Sequence, residues 1–351
     1  MIVIRPVEHD DIDGLYQLAK KAGPGMTTFP PDKKVLTQKI IASHKAFNLE
    51  YDKSTEGSFL MVLVDNDTNL IMGTAGIYSN IGKNTPFYSF KILTRSKHSY
   101  KLNSKVSSKT LHLVNEYTGD TEVGTLILDP DYRGGGYGKL LSKCRYLLIA
   151  QFRQLFGARL IAELRGWSDD KAISPFWEGV GKHFFQGMQY EHADYLSATT
   201  NNQFIADLMP EYPIYIDLLP EMAKSVIGKP HILGEAALNM LFKEGFHYEN
   251  YVDIFDAGPT VHAYVENVET IIHSQEKTLS DSVFSEVEAV ECLVCNSSLK
   301  YFRVCQTKVN FIDDGSVALA PEVVHALLLK FEQPLRVYPL NQIVQKNNKH
   351  F

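Results

Sequence analysis

Several features that would narrow the function of a protein are missing from this sequence. No run of about 18 apolar residues occurs anywhere, so a membrane-spanning helix is not expected. The opening segment, Met1 to Pro6, lacks the long apolar region of a secretory signal peptide. These absences predict a cytoplasmic protein with no membrane partner.

Excess positive charge is also missing. The chain has 35 lysines and arginines against 41 aspartates and glutamates, a net charge of −6, and no basic block. A nucleic-acid partner therefore has no support. Any polyanionic ligand must be met by a local cluster, and four basic residues stand at or just after one glycine-rich stretch: Arg133, Lys139, Lys143 and Arg145.

Cysteine is scarce, with four residues in the chain. Cys292-x-x-Cys295 followed by Cys305 invites a zinc interpretation, but a second ligand pair is missing and residues 292–295 have the pattern of a strand. We therefore expect small core residues in a reducing compartment, and no bound metal.

What remains is the composition of a globular protein. In 351 residues, 44% are hydrophobic and 22% are charged, which is enough for about two domains with ample cores. Function must be sought in local patterns.

The most informative stretch is LILDPDYRGGGYGKLL, residues 126–141. An apolar run stops at Asp129-Pro130, a glycine-rich turn follows, and apolar residues resume at helical spacing from Leu140. The pattern predicts a strand, a glycine loop and a helix. Closely spaced glycines let successive backbone N–H groups point toward an anion at the positive end of a helix.

Two familiar phosphate loops do not match this stretch. A Walker loop needs Ser or Thr after the lysine, whereas Lys139 is followed by Leu140. A dinucleotide fingerprint that starts at Gly134 or Gly136 lacks its third glycine. A glycine-rich turn without a ligand remains the alternative.

Strand and helix patterns cover most of the first 258 residues, and residues 103–115 are interpreted only as an ordered insertion. The expected strands are 2–6, 58–64, 70–78, 87–93, 159–164 and 251–255. Ser174 caps a helix that starts at Pro175, and another helix follows the loop 227–234.

The pattern changes after Gly258 to short alternating strands with one helix near residues 321–329. The first such strand is expected at 261–265. We predict two domains, 1–258 catalytic and 259–351 small and β-rich, with a barrel-like arrangement of strands. The second domain carries no cluster of catalytic residue types, so a packing or assembly role is expected.

The sequence Arg-Gly-x-Gly-x-Gly after a strand resembles the acyl-CoA pyrophosphate loop of the GCN5-related N-acetyltransferase superfamily. The resemblance implies an α+β fold, a mixed sheet flanked by helices, with acyl-CoA bound by Arg133, Gly134, Gly136 and Gly138. Many members carry a tyrosine that protonates the departing thiolate, four residues before a glycine that precedes a strand. Here that position is Leu241.

Longer segments resemble the bacterial arginine N-succinyltransferase family. The similar segments are residues 4–7, 23–28, 128–133, 162–166, 174–177, 204–210, 226–231 and 245–259. Pro230-His231-Ile232 departs from the more usual Val-His-Pro, and the tail after about residue 270 matches loosely.

The family resemblance implies transfer of a succinyl group from succinyl-CoA to the α-amine of L-arginine, the first step of an arginine degradation route. It assigns His231 as the proton donor and places succinyl-CoA at Leu126. It leaves a homodimer or a heteromer with a paralogous subunit open.

Two charged residues, Glu163 and Arg165, stand at the end of a predicted buried strand beside the same cleft. They are candidate substrate-binding residues, with a surface ion pair as the alternative. Two other functions also stay open: N-acylation of ornithine or from acetyl-CoA, and CoA binding without catalysis.

Overall fold

The computed structural model describes residues 1–22, 29–200 and 202–340. Residues 23–28, one of the segments that carry the family resemblance, lie outside this part of the chain. No helix among the described residues has the length and apolar character needed to cross a membrane.

The strands and helices of the described residues alternate irregularly along the chain. The strands are β1 (Ile2–Pro6), β2 (Gly57–Asp65), β3 (Leu70–Ser79), β4 (Ser89–Ser99), β5 (Ser104–Val114), β6 (Thr121–Leu128), β7 (Arg159–Glu163), β8 (Ile214–Tyr215), β9 (His247–Val252), β10 (Pro259–Tyr264), β11 (Gln275–Thr278), β12 (Val290–Asn296), β13 (Val304–Phe311), β14 (Val317–Ala318) and β15 (Pro334–Pro339). The helices are α1 (Ile12–Lys21), α2 (Lys33–Phe47), α3 (Tyr137–Gln151), α4 (Lys182–Phe184), α5 (Tyr190–Thr199), α6 (Gln203–Leu208), α7 (Glu221–Val226), α8 (Glu235–Lys243), α9 (Glu269–His273) and α10 (Pro321–Ala326).

All these strands join one continuous sheet in the order β11-β15-β12-β13-β1-β2-β3-β6-β7-β10-β9-β4-β5-β8, and β14 pairs with β13. Neighbouring strands are antiparallel with one exception, the parallel pair β6 and β7. The sheet is therefore mixed, as the sequence predicts.

Helices cover both faces of this sheet. Side chains of β2 alternate, so Met61 faces a core cluster with Leu141 of α3, whereas Val62 faces a second cluster with Leu15 of α1 and Leu36 of α2. This two-sided burial is why β2 is apolar at nearly every position. The predicted α+β fold, a mixed sheet flanked by helices, is confirmed.

The glycine-rich stretch forms the strand, loop and helix that its pattern predicts. β6 ends at Leu128, and the Asp129 side chain accepts a hydrogen bond from the Asp131 N–H at 3.1 Å. Gly136 then precedes α3 in a left-handed conformation, with φ of 83°. Glycine adopts this conformation without steric cost, so the turn into α3 needs it.

Two segments differ from their sequence-based interpretation. Residues 103–115 are mostly β5, a regular strand paired with β4 along its whole length. The expected strand 251–255 instead ends at Val252, because the Asp253 side chain accepts hydrogen bonds from the N–H groups of Phe255 and Asp256 and turns the chain.

The later strands extend the same sheet. β10, which the sequence analysis placed with the C-terminal strands, lies between β7 and β9. At the other side, β13 pairs with β1 through Ile4 and Val304. The division into two domains stays a prediction.

The cysteines of β12 face opposite sides of the sheet. Cys292 packs in the core cluster that contains Leu15, whereas Cys295 packs in the cluster that contains Leu141. Both are fully buried. They cannot ligate one zinc ion together, and their interpretation as core residues is confirmed.

Candidate active site

The parallel strands β6 and β7 pair at their first residues and then diverge. β6 and β7 pair only at Thr121 with Leu160 and at Glu122 with Ile161. Beyond Glu122 the β7-facing edge of β6 has no strand partner among the described residues. An open slot between two strand ends leaves backbone N–H and C=O groups available to a ligand.

A bulge in β6 shapes one wall of this slot. Pairing with β3 shifts register between Thr74 and Gly76, and Thr125 of β6 has φ of 47°. The bulge places Val123 and Leu126 in contact with the same core cluster, although an unbroken strand would turn residues three apart to opposite faces. Leu126 thus lies at the slot, and its contact with succinyl-CoA stays a prediction.

A cavity of about 220 Å³ fills the slot. Its polar lining is mostly acidic, with two arginines. The charged side chains are Glu122, Glu163, Asp194, Asp253, Asp256, Arg145 and Arg165. Leu126, Leu164 and Leu241 form part of the apolar wall. The cavity thus has five carboxyl groups against two guanidinium groups.

Asp256 fixes the floor of the cavity. Its carboxylate accepts hydrogen bonds from the N–H groups of Gly166 and Gly258, both at 2.8 Å, and from the Tyr190 hydroxyl at 3.0 Å. Gly258 lies so close to the chain after β7 that an added Cβ would be 2.0 Å from the Leu164 carbonyl oxygen. The Asp256 carboxylate therefore joins the chain after β7, the turn before β10 and the start of α5 through hydrogen bonds.

Three other carboxyl groups of the cavity, those of Glu122, Glu163 and Asp253, have raised pKa values. Burial raises the pKa of Glu122 to about 7, with Lys39 opposing the rise. Burial, repulsion from Asp253 and repulsion from Glu122 raise the pKa of Glu163 well above its ordinary value. The pKa of Asp253 is raised likewise by burial and by Asp256. A group whose pKa is near 7 can accept or release a proton at neutral pH.

The predicted substrate residues both line the cavity. Glu163 accepts a hydrogen bond from the Thr260 hydroxyl of β10 at 3.2 Å. Arg165 donates from Nη2 to the Ser168 hydroxyl at 3.4 Å. The structure therefore brings Glu163 and Arg165 to the same cavity, as predicted.

The glycine loop is open to solvent. Gly134 and Gly136 both have positive φ, 91° and 83°. If a Cβ were added at either glycine, no described atom other than those of the adjacent residues would lie within 4 Å of it. Together with the first N–H groups of α3, which lack carbonyl partners within the helix, this leaves room for an anionic group.

The predicted basic cluster divides into three parts. Arg133 and Lys139 are exposed beside the loop. Lys143 instead forms an ion pair with Glu244 and donates to the Thr270 hydroxyl at 2.8 Å. Arg145 is buried and faces the acidic cavity. Arg145 does not join the other three, because residues two apart on a helix point to nearly opposite sides, whereas Lys139 and Lys143, four apart on α3, line one cavity.

A second cavity of about 540 Å³ adjoins the start of α3. It lies between α3, α8 and the strands β12, β13 and β15. Its lining includes Gly136, Lys139 and Lys243. The space combines a helix N-terminus with lysines, which suits a phosphorylated ligand.

His231 lies beside the acidic cavity without lining it. Its backbone N–H donates to the Arg165 carbonyl at 2.8 Å, and its Nδ1 accepts from the Leu233 N–H at 3.2 Å. The neutral ring therefore carries its proton on Nε2. Burial, followed by the nearby positive charge of Arg165, lowers the pKa of His231.

Sequence reasoning missed five of the seven charged residues of the cavity: Glu122, Arg145, Asp194, Asp253 and Asp256. Glu122 could have been found, because it is the one charged residue in the strand Thr121–Leu128. The sequence pattern places Asp253 inside a strand and Arg145 just after the glycine-rich stretch. Their position at the cavity depends on which strands and helices pack together.

One group of potential metal ligands occurs among the described residues, away from the cavity lining. Ligand atoms of His247, Glu249 and His262 lie within 4.8 Å of one another on β9 and β10. The expectation that the reaction uses no metal stays a prediction.

Diverging parallel strands, a strand bulge at the slot and a glycine loop that opens the next helix define an N-acyltransferase of the GCN5-related fold class. The chain belongs to the arginine N-succinyltransferase beta subunit family, whose model matches residues 2–270. The model of that family's C-terminal domain matches residues 276–339.

Individual relatives agree with this assignment. An arginine N-succinyltransferase of Enterobacter sp. (strain 638) is 42% identical over 310 residues, which cover 88% of this chain and 90% of the relative. The Escherichia coli (strain K12 / DH10B) protein of the same name is 40% identical, with 87% and 88% covered. The solved arginine/ornithine succinyltransferase subunit AI of Pseudomonas aeruginosa is similar with a TM-score of 0.86, 29% identity, and 97% and 99% coverage.

Proposed function

We propose that this protein transfers the succinyl group of succinyl-CoA to the α-amino group of L-arginine, as the first step of arginine degradation. The observation that carries the proposal is the acidic cavity at the diverging ends of β6 and β7. It combines carboxylates for a cationic acceptor with a slot for a thioester. The family membership supports the same reaction.

Succinyl-CoA is proposed to bind with its pyrophosphate at the glycine loop. Positive φ at Gly134 and Gly136 and the open space above them support this placement, and Gly138 supplies a first-turn N–H of α3. Arg133 and Lys139 add positive charge at the loop. The nucleotide then has room in the 540 Å³ cavity between α3 and α8.

The thioester is proposed to lie beside Leu126. The edge of β6 that faces β7 is unpaired there, so backbone N–H groups can donate to the thioester oxygen. Such donors stabilise the negative charge that develops on that oxygen during attack. The bulge at Thr125 supports the assignment because it re-aims this part of the strand.

The acceptor is proposed to place its guanidinium among the cavity carboxylates. Glu163 and Asp253 lie there, and a fixed guanidinium would favour their ionised forms. Arg165, at the rim beside His231, suits the α-carboxylate of the amino acid. This leaves the α-amine as the group directed toward the thioester.

Three proton transfers accompany the reaction. The ammonium group must lose a proton before its nitrogen bonds to the thioester carbon, and Glu122, with its pKa of about 7, is proposed as the acceptor. As the C–S bond breaks and the amide forms, the nitrogen releases its second proton to solvent and the thiolate takes up a proton. His231 in its protonated form is proposed as the donor to the thiolate, and its lowered pKa makes this cation a stronger acid.

Ornithine is the second candidate acceptor, because the Pseudomonas aeruginosa relative is named an arginine/ornithine succinyltransferase subunit. The deciding experiment measures turnover of arginine and ornithine, each with succinyl-CoA and acetyl-CoA. We expect succinyl-CoA with arginine to give the highest kcat/KM. Binding of CoA without turnover of any pair would instead support a non-catalytic protein.

Assembly with a second subunit is also proposed, as a homodimer or with a paralogous chain. The hairpin of β4 and β5 exposes Tyr100, Leu102 and Val106 by 89%, 75% and 62%, an unusual apolar tip for a surface. Sedimentation of the protein alone would distinguish a homodimer from a monomer that assembles only with a paralogous chain. Four free, buried cysteines suit the proposed cytoplasmic location.

A further inference from the structure

Arg145 is a buried arginine that lines the acidic cavity. It lies on α3, about two turns after the glycine loop, and only 2% of its surface is exposed. It shares the cavity wall with Leu126 and Leu241. Its position thus connects the helix that follows the glycine loop to the slot where the strands diverge.

This guanidinium has few protein partners. Nε donates to the Ser142 carbonyl at 3.2 Å and Nη2 to the Ser142 hydroxyl at 3.1 Å. No carboxylate of the described residues lies within the 4.0 Å of an ion pair. Nη1 donates to no described residue, so part of the fork is available to a ligand.

A second buried arginine, Arg5, has the carboxylate partner that Arg145 lacks. Arg5 is 6% exposed, and its two terminal nitrogens bind the Asp11 carboxylate at 2.7 and 2.9 Å. Burying a cation without an anion is unfavourable, so an arginine kept in this state indicates an anionic ligand. Both arginines border a cavity, but Arg5 already has its anion in Asp11, whereas Arg145 has no carboxylate partner among the described residues.

The proposed reaction brings an anion to this wall. A succinyl thioester carries a free carboxylate two methylene groups beyond its carbonyl, whereas an acetyl thioester carries none. The carboxylate must avoid the five acidic side chains of the cavity, and Arg145 lies among apolar groups that suit the methylenes. An arginine fork binds a carboxylate through two parallel hydrogen bonds.

We propose that Arg145 binds the terminal carboxylate of the succinyl group and thereby selects a dicarboxylic acyl donor. The proposal rests on the proposed function, which it extends from the reaction to the residue that reads the acyl chain. Arg145 acts in donor specificity, while Glu163 and Arg165 serve the acceptor.

The test compares Arg145→Met with wild type, using succinyl-CoA and butyryl-CoA, a donor of similar length that lacks the carboxylate. We expect kcat/KM for succinyl-CoA to fall about 10²-fold or more, the effect of removing one partner of a buried charged pair. For butyryl-CoA it should stay within about threefold of wild type or rise. Arg153→Met, an exposed arginine just beyond α3, is the matched control and should change neither value.

Equal losses for both donors, or an unchanged value for succinyl-CoA, would overturn the proposal. Because Met at a buried position can impair folding, Arg145→Lys is measured as well. Lysine keeps the charge without the fork and should give an intermediate loss restricted to succinyl-CoA.

Calorimetric titration with each donor, in the absence of any amine, tests donor recognition by Arg145 independently of acyl transfer. Wild type should bind succinyl-CoA more tightly than butyryl-CoA, and Arg145→Met should remove the difference. If wild type prefers succinyl-CoA, Arg145→Met removes the preference and arginine is not acylated, the proposed function fails and the Arg145 assignment stands. If wild type shows no preference, the Arg145 assignment fails whatever amine is acylated.

Discussion

The backbone N–H of His231 donates to the carbonyl oxygen of Arg165 at 2.8 Å, which joins the loop before α8 to the chain that leaves β7. A second bond, from the Trp167 N–H to the Lys229 carbonyl at 3.2 Å, continues the contact. The proposed proton donor is therefore held by the same strand extension that carries a proposed substrate residue.

Replacing His231 with Asn should keep CoA binding nearly intact and lower kcat by roughly 10²-fold or more, because the change removes a group able to hold and release a proton. The measurement is turnover of arginine with succinyl-CoA, with CoA affinity determined separately. His183→Asn, at an exposed position of α4, is the control. A His231 variant within about threefold of wild type would leave His231 a structural loop residue.

Gly136→Val should raise the KM for succinyl-CoA at least about tenfold. Valine at φ of 83° is strained, so the loop would move and its N–H groups would point elsewhere. Gly315 offers a matched control, since it has φ of 86° and equally open surroundings far from α3 in sequence. Gly315→Val should lose similar stability and keep the KM; an equal effect of both changes would argue against the loop as the CoA site.

The dependence of kcat/KM on pH should rise through a midpoint of about 7. The pKa of Glu122 is raised to about 7 by burial, and only its ionised form can take the amine proton. Glu122→Gln should remove this rise and lower the rate by about 10²-fold or more. A variant that keeps the wild-type profile would transfer the role to another group, with Glu163 and Tyr78 the next candidates.

Glu163→Gln should stabilise the protein at pH 8 and leave it nearly unchanged at pH 5. The pKa of Glu163 is higher in the folded protein than in the unfolded chain, so the protonated side chain favours folding. This stabilisation is fully present below the unfolded-state pKa and is lost as pH rises through the folded-state pKa. Gln cannot ionise, and the gain should be roughly 1 kcal/mol. Thermal unfolding at both pH values measures it, with the exposed Glu211→Gln as control. Destabilisation at pH 8 would contradict the stated shift.

Changes in the C-terminal strands should affect stability without abolishing chemistry. Cys292→Ala and Cys295→Ala each remove a buried sulfur and should cost about 1 kcal/mol. His325→Ala, at an exposed position of α10, should cost almost nothing. Turnover per folded molecule should stay close to wild type in all three, and its loss in soluble protein would place catalytic groups in this part of the chain.

Local patterns were sufficient for some elements of the site. Gly134 and Gly136 follow an apolar strand and precede a helical repeat, and this order predicts the loop because positive φ is inexpensive only for glycine. The same reasoning failed at Thr125, whose positive φ is unusual for a β-branched residue. The bulge accompanies a register shift in the pairing with β3, and no signal in the local sequence marks it.

The sequence by itself determined the family, the glycine loop and the helix after it, because these depend on contiguous residues. Tertiary structure decided which charges share the cavity: Glu122, Glu163 and Asp253 come from β6, β7 and the turn after β9, far apart in the chain. It also separated Lys143 from Arg145, since residues two apart on a helix point to nearly opposite sides. Their partners, Glu244 and the cavity, exist only once α8 and the diverging strands have packed against α3.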